Sequence, residues 1–231
     1  MTDNKKEMLM NVLIVFAHPE PKSFNGALFD TAVRELEAAG HTVVTSDLYR
    51  MGFNPVSDRH NFKTVKDPDY LKLQAEETHA TEYDGFAPGI EAEIGKLEAC
   101  DLLILQFPMW WFGLPAILKG WADRVLAMGR TYGYGAIYET GKFRGKRALL
   151  SLTTGGPEEA YLKRGFNGDV EAILRPVQRG ILEFIGFDVL PPQIHFGPAR
   201  ATQEQREDWL ANYARRLMSI DTEPPIVVGN Y

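Results

Sequence analysis

The sequence has one cysteine, Cys100, in 231 residues. That excludes an intrachain disulfide and any cysteine-based metal cluster. Its histidines are scattered: His41, His60 and His79 have no ligand-spaced partners, so no metal motif forms around them. There is no block of lysine or arginine, and the formal net charge of −6 argues against a nucleic-acid partner. No apolar run approaches the length of a membrane span. Gly-x-Gly-x-x-Gly and Walker-type loops are missing, which removes the conventional dinucleotide fold and the P-loop. Ser151 and Ser219 lack the nucleophile-elbow context of a hydrolase. With no internal repeat or low-complexity linker, one domain over residues 1–231 is the simplest organisation, with an extended tail from about residue 219.

At the start of the chain, Lys5 and Lys6 precede the apolar run Met8 to Ala17, and Val15-Phe16-Ala17 imitates a signal-peptidase site. Asp3 and Glu7 cancel the lysines and Asn11 interrupts the run, so the segment reads as a first strand and the protein as cytoplasmic.

What the chain does hold is a 45% hydrophobic composition, enough to bury a large α/β core. Strand-like runs at Val12–Ala17, Thr42–Leu48, Leu102–Phe107, Ala148–Thr153 and Phe187–Leu190 alternate with helical patterns. The helices read as Asn25–Ala39, closed by Gly40, then Pro68–Thr81, Pro88–Ala99, Pro115–Met128 and Asp169–Ile185, where Pro176 kinks or begins the helix. Thr202-Gln-Glu-Gln205 is a capping box for a last helix to Leu217, in which Arg215 and Arg216 read as solvated. Tyr49 to Asp67 is irregular. Such alternation predicts a doubly wound, five-stranded parallel sheet of order 2-1-3-4-5 with helices on both faces. Ligands of such sheets lie beyond the strand C-termini at the switch point, so the loops after strands one, three and four should converge.

Those three loops carry the chemistry. After strand one, His18-Pro-Glu-Pro-Lys-Ser-Phe-Asn25 opens a helix, and helix N-termini bind phosphate. Ser23 or Asn25 as a plain helix cap is the alternative. After strand three, Pro108-Met-Trp-Trp-Phe-Gly113 gathers three aromatics in one short loop, either a platform for a flat conjugated ligand or a core wedge or subunit contact. On the platform reading, the backbone N–H groups of Trp111 and Phe112 could also reach a ring's polar edge. After strand four, Thr153-Thr-Gly-Gly156 lets backbone approach a ligand, or is an ordinary turn. Tyr161 follows, as a donor to a cofactor or as packing.

With these residues assembled, the sequence resembles the flavodoxin-like NAD(P)H:quinone oxidoreductases, the DT-diaphorase family. The blocks that carry the likeness are Ala17-His18 with Ser23-Phe-Asn25, Ser46 to Pro55, Gln106-Phe-Pro, Trp111-Phe-Gly, Pro115 to Trp121, and Thr153 to Gly156 followed by Tyr161. They lie in family order from about Asn11 to Arg216. The resemblance implies a homodimer that binds FAD, with each site built from both subunits. Carried over by position, His18, Ser23, Phe24 and Asn25 would hold the diphosphate. Pro108, Met109, Trp110, Trp111 and Phe112 would line the isoalloxazine, with Thr153, Thr154, Gly155 and Gly156 along its polar edge and Arg206 near the adenine. Trp110 has no assigned role. Substrates would meet Trp111, Phe112, Gly155 and Gly156, under Tyr132 and Tyr134 from the partner. Tyr161 and Asn167 would be catalytic.

Two departures stand out. Family members that pair the tyrosine with a histidine six residues later have here Asn167, which cannot take up a proton near neutral pH. Asn at this place is similar to the branch that uses dihydronicotinamide riboside, which leaves the donor open. That branch has a His-x-x-x-His metal site on the next helix; Arg179 and Glu183 stand there instead, so no metal is expected. The implied activity is ping-pong reduction of quinones by a reduced nicotinamide. Rival readings are an azo- or nitro-compound reductase, an ancillary subunit of a potassium-efflux transporter, and an FMN-bearing one-electron shuttle.

Overall fold

The computed structural model describes residues 9–229. Lys5, Lys6, Asp3, Glu7 and Met8, on which the leader-like reading turned, lie outside the described residues. Within them, the parallel strands β1 (Asn11–Phe16), β2 (Thr42–Asp47), β3 (Leu102–Pro108) and β4 (Arg147–Thr154) form a sheet in the order β2-β1-β3-β4, as expected. The fifth position is shared by two short strands. β5 (Asp188–Val189) pairs with the start of β4, and β6 (Gln193–Phe196) with its end. Pro191 and Pro192 separate them, since two consecutive residues without an N–H cannot continue a ladder.

Alternation along the central strands sorts side chains onto two faces. Val12, Ile14, Leu102 and Ile104 point to one, where α1 (Phe24–Ala38) and α6 (Gln203–Leu217) cover them with Leu28, Ala32, Leu36, Tyr213 and Leu217. Leu13, Val15, Leu103 and Leu105 point to the other, under α3 (Pro88–Ala99), α4 (Ala116–Val125) and α5 (Val170–Val177). The short α2 (Leu73–Glu82) starts later than the sequence pattern suggests, because Lys66 and Asp67 donate their backbone N–H groups to the buried Glu76 carboxylate in an ordered turn. Pro176 sits inside α5, and a π-helical turn, Gln178–Glu183, follows it directly.

The irregular stretch after β2 is held from below. Gly120 on α4 lies so close to Pro55 that a Cβ there would approach Pro55 to 2.3 Å. Arg124, one turn on, donates to Asn54 O, Asn61 Oδ1 and His60 O at 2.6, 2.7 and 3.4 Å. One helix thus fixes both sequence blocks, Ser46–Pro55 and Pro115–Trp121. At the far end, Arg216 departs from its solvated reading. It pairs with Glu223, donates to Gln193 Oε1 at 2.8 Å and straps the tail over the sheet edge. The tail's Ile226 N–H reaches Val189 O at 2.8 Å.

Candidate active site

The switch point between β1 and β3 opens onto a cleft of about 620 Å³. Its lining comes from the three expected loops: His18, Ser23, Phe24 and Asn25; Pro108, Met109 and Trp110; Thr153, Thr154 and Gly155. Arg206 from α6 joins them. The ladders run past the strand ends to shape it, with Ala17 N–H on Gln106 O at 3.0 Å and Met109 N–H on Thr153 O at 2.8 Å.

The start of α1 supplies the cleft's anion-seeking end. Ser23 is the N-cap, its Oγ accepting from Gly26 N at 3.1 Å, so the capping and ligand readings of Ser23 are compatible. Ala27 N–H is taken by Ser23 O, while Phe24 and Asn25 have no intrahelical acceptor for their N–H groups. Gly26 permits this turn to press against the preceding loop, where a Cβ would fall 1.8 Å from Pro21 O. Asn25 is a brace more than a contact surface. Gln106 Nε2 donates to Asn25 Oδ1 at 2.9 Å, and Asn25 Nδ2 donates to Thr153 Oγ1 at 2.8 Å, tying β3, α1 and β4 in one buried chain. That leaves the Thr153 hydroxyl proton available.

Glu20 N–H donates to His18 Nδ1 at 3.0 Å. The same Nδ1 lies 3.0 Å from Glu20 O, so one residue's backbone holds the ring in place from both of its polar groups. Lys22, which the sequence reading passed over, also lines the cleft, and no Asp or Glu does. Lys22, Arg206 and the helix N-terminus make this end suited to a phosphate. Pro198 and Ala199 were missed as well; they arrive from the loop after β6, a strand the pattern did not reveal.

Trp110 forms the cleft's outer wall, with its ring centroid 6.3 Å from that of His18. Trp110 and Gly113 exchange both N–H···O bonds at 3.2 and 3.0 Å, closing a tight turn. Its central residues Trp111 and Phe112 have φ of 51° and 58°, the type I′ pattern usually filled by Asn and Gly. Holding two aromatic residues there costs about 1 kcal/mol each. The turn leaves the N–H groups of Trp111 and Phe112 unused and Trp111 97% exposed, outside the cleft lining.

Gly156 also lies just outside, but it is where Tyr161 and Asn167 meet. A Cβ on Gly156 would stand 3.1 Å from Tyr161 Cε2, 3.7 Å from its hydroxyl and 3.5 Å from Asn167 Nδ2. The Tyr161 ring is buried beside Phe196, centroids 5.7 Å apart. Tyr132 and Tyr134 belong elsewhere on this chain. Tyr132 lines an apolar groove of about 330 Å³ with Leu126, Ile181 and Phe184, and Tyr134 is 97% exposed. Where a metal motif was weighed, Arg179 and Glu183 form an ion pair at 2.9 Å.

Behind the cleft, Phe24 packs edge-on against His195, centroids 5.3 Å apart, and both meet Trp209. Burial pushes the His195 pKa from 6.5 down to about 4. Below pH 6.5 the unfolded chain takes up a proton that the folded one refuses until about pH 4, so stability falls across that window by about 3 kcal/mol. Thermal melts from pH 7 to 4 check this: His195→Phe should lose that part of the slope.

A family profile described as "Flavodoxin-like fold" matches residues 10–218. The human ribosyldihydronicotinamide dehydrogenase [quinone] is 46% identical over 93% of this chain and 94% of its own length. The guinea pig (Cavia porcellus) NAD(P)H dehydrogenase [quinone] 1 is 43% identical over 94% of this chain and 80% of its own. The chain belongs to the flavodoxin-like quinone oxidoreductases. A Klebsiella pneumoniae structure described as a candidate quinone reductase superposes with a TM-score of 0.88 at 40% identity, over 94% of this chain and 87% of that one. As in flavodoxin-like sheets generally, this family member keeps its cleft at the strand C-termini beside the switch point.

The residues present fit a flavin. The cleft has the volume of a cofactor site, a carboxylate-free cationic lining and a wall formed by Trp110. A Cβ on Gly155 would meet no atom within 4 Å, so that strip of backbone lies open to a flat ring.

Proposed function

We propose that this protein holds FAD in the cleft and reduces quinones with a reduced nicotinamide donor, as a cytoplasmic homodimer. The observation that carries this is the convergence of the loops after β1, β3 and β4 on one cleft, lined by Lys22 and Arg206 with no carboxylate and walled by Trp110. When bound, a flavin would supply two-electron redox chemistry between a reduced nicotinamide and a quinone, the two substrates using the site in ping-pong order.

The N–H groups of Phe24 and Asn25, with Ser23, His18 and Lys22, would hold the diphosphate. Arg206 holds the adenylate end. Pro108, Met109 and Trp110 wall the ring system, and the Trp111–Phe112 turn presents its free N–H groups to a polar edge. Thr153, Thr154, Gly155 and Gly156 run along the opposite edge. Tyr161 would donate a hydrogen bond to negative charge developing on the bound cofactor, assisted by Asn167, which is a donor but no proton acceptor near pH 7.

Tyr132 and Tyr134 serve the site of a second copy. The groove of Tyr132, Leu126, Ile181 and Phe184 is an apolar face of the kind a dimer covers. No helix among the described residues is long and apolar enough to cross a membrane.

The test is direct. The flavin of the purified protein is released and identified, and NADH, NADPH and dihydronicotinamide riboside are each assayed with a soluble quinone. FAD and rapid quinone turnover are expected. A colourless protein that takes up no flavin would overturn the reading.

A further inference from the structure

The five residues between Tyr161 and Asn167 carry information of their own. The segment closes on itself through three backbone bonds: Asn167 N–H on Ala160 O at 2.7 Å, Gly165 N–H on Leu162 O at 2.7 Å, and Gly168 N–H on Gly165 O at 3.1 Å. Gly165 is obligatory, since a Cβ there would come within 2.4 Å of Glu159 O. This closure is what brings Tyr161 and Asn167 together at Gly156. It also pushes Lys163, Arg164 and Phe166 outward, with Phe166 99% exposed.

Lys163 and Arg164 are therefore presented from a pre-shaped loop, within about 8 and 11 Å of the Tyr161 Cα along the chain. Among the described residues neither has an ion pair or a side-chain hydrogen bond. Glu158 lines a separate cavity between α5 and the tail, and Asp169 caps α5 by accepting from Glu171 N. Within Leu162–Phe166 the charge is +2, with the exposed Glu158 and Glu159 on the other side of Tyr161 in the sequence. Two unpaired cations at the rim of a reaction site are an electrostatic recruiter for an anionic substrate. A planar guanidinium beside a lysine is suited to phosphate oxygens.

Quinones and a riboside donor bring no phosphate; a nicotinamide dinucleotide does. The chain is about equally similar to relatives named for a riboside donor and for NAD(P)H, so overall similarity does not choose between them. We infer that Lys163 and Arg164 bind the diphosphate of a nicotinamide dinucleotide, making NADH or NADPH the donor, with Phe166 as an apolar shelf beside it. This rests on the proposed flavin site and assigns a donor to it.

The experiment compares the flavin-loaded wild type with K163A/R164A, using NADPH, NADH and dihydronicotinamide riboside at low and high salt. The double substitution should lower kcat/KM for both dinucleotides about tenfold, leave the riboside within about twofold, and flatten the salt dependence of the dinucleotide rates. NADP⁺ binding, followed by calorimetry, should weaken in step, and K163R/R164K should retain it. Unchanged dinucleotide kinetics, or an equal loss with the riboside, overturns the inference. A wild type reduced by the riboside alone overturns it too while leaving the flavin site intact. Failure of all three donors removes both.

Discussion

Gly26→Ala yields a less stable protein that no longer retains flavin. The added Cβ falls 1.8 Å from Pro21 O and 2.7 Å from Pro21 C, so the collision is backbone against side-chain root and no rotamer relieves it. Either the Pro19–Lys22 loop lifts or α1 starts a turn late. Overpacking of this kind costs about 3 kcal/mol, which lowers Tm by roughly 5–10 °C in a chain of this size. Flavin binding suffers more, because the same shift moves the Phe24 and Asn25 N–H groups, Ser23 and Lys22 together. Losing two charge-assisted bonds weakens binding by about 100-fold. Melting curves with and without FAD, and a flavin fluorescence titration, measure both. Gly155→Ala is the companion, since its Cβ enters open space: the melt without flavin stays put. A Gly26→Ala protein with normal FAD affinity would remove the α1 terminus from the phosphate site.

Tyr161→Phe slows flavin reduction and little else. The ring is buried against Phe196 and remains so in the variant; only the hydroxyl beside Gly156 and Asn167 is deleted. Removing one well-placed donor from developing charge costs about 100- to 1000-fold in organised sites. Asn167 keeps a second donor in reach, so a loss of about 10- to 100-fold is expected in single-turnover reduction followed by flavin absorbance. Flavin affinity and Tm should hold. Unchanged single-turnover rates would sink the catalytic role of Tyr161.

The sheet was legible because Val12–Phe16 and Leu102–Phe107 are short, nearly continuous apolar runs, as strands covered on both faces must be, and every residue in them is buried. The site was legible through topology, which requires three particular loops to meet. What escaped were features set by contacts distant in sequence. The second half of the fifth strand hides behind two prolines, and with it went Pro198 and Ala199. Arg216 looks like any helix-surface cation until the tail's Glu223 folds back onto it. Asn25 looks like a ligand until Gln106 and Thr153 are seen to hold it. The left-handed turn at Trp111–Phe112 contradicts local preference, so no propensity would have suggested it.

The proline break between β5 and β6 has a consequence for the protein in a crowded solution. An uninterrupted fifth strand would expose a full row of N–H and C=O groups, a template on which another chain could add. Here each outer segment is short, at two and four residues, and Ile226 already occupies Val189 O. This edge of the sheet therefore resists strand-by-strand polymerisation.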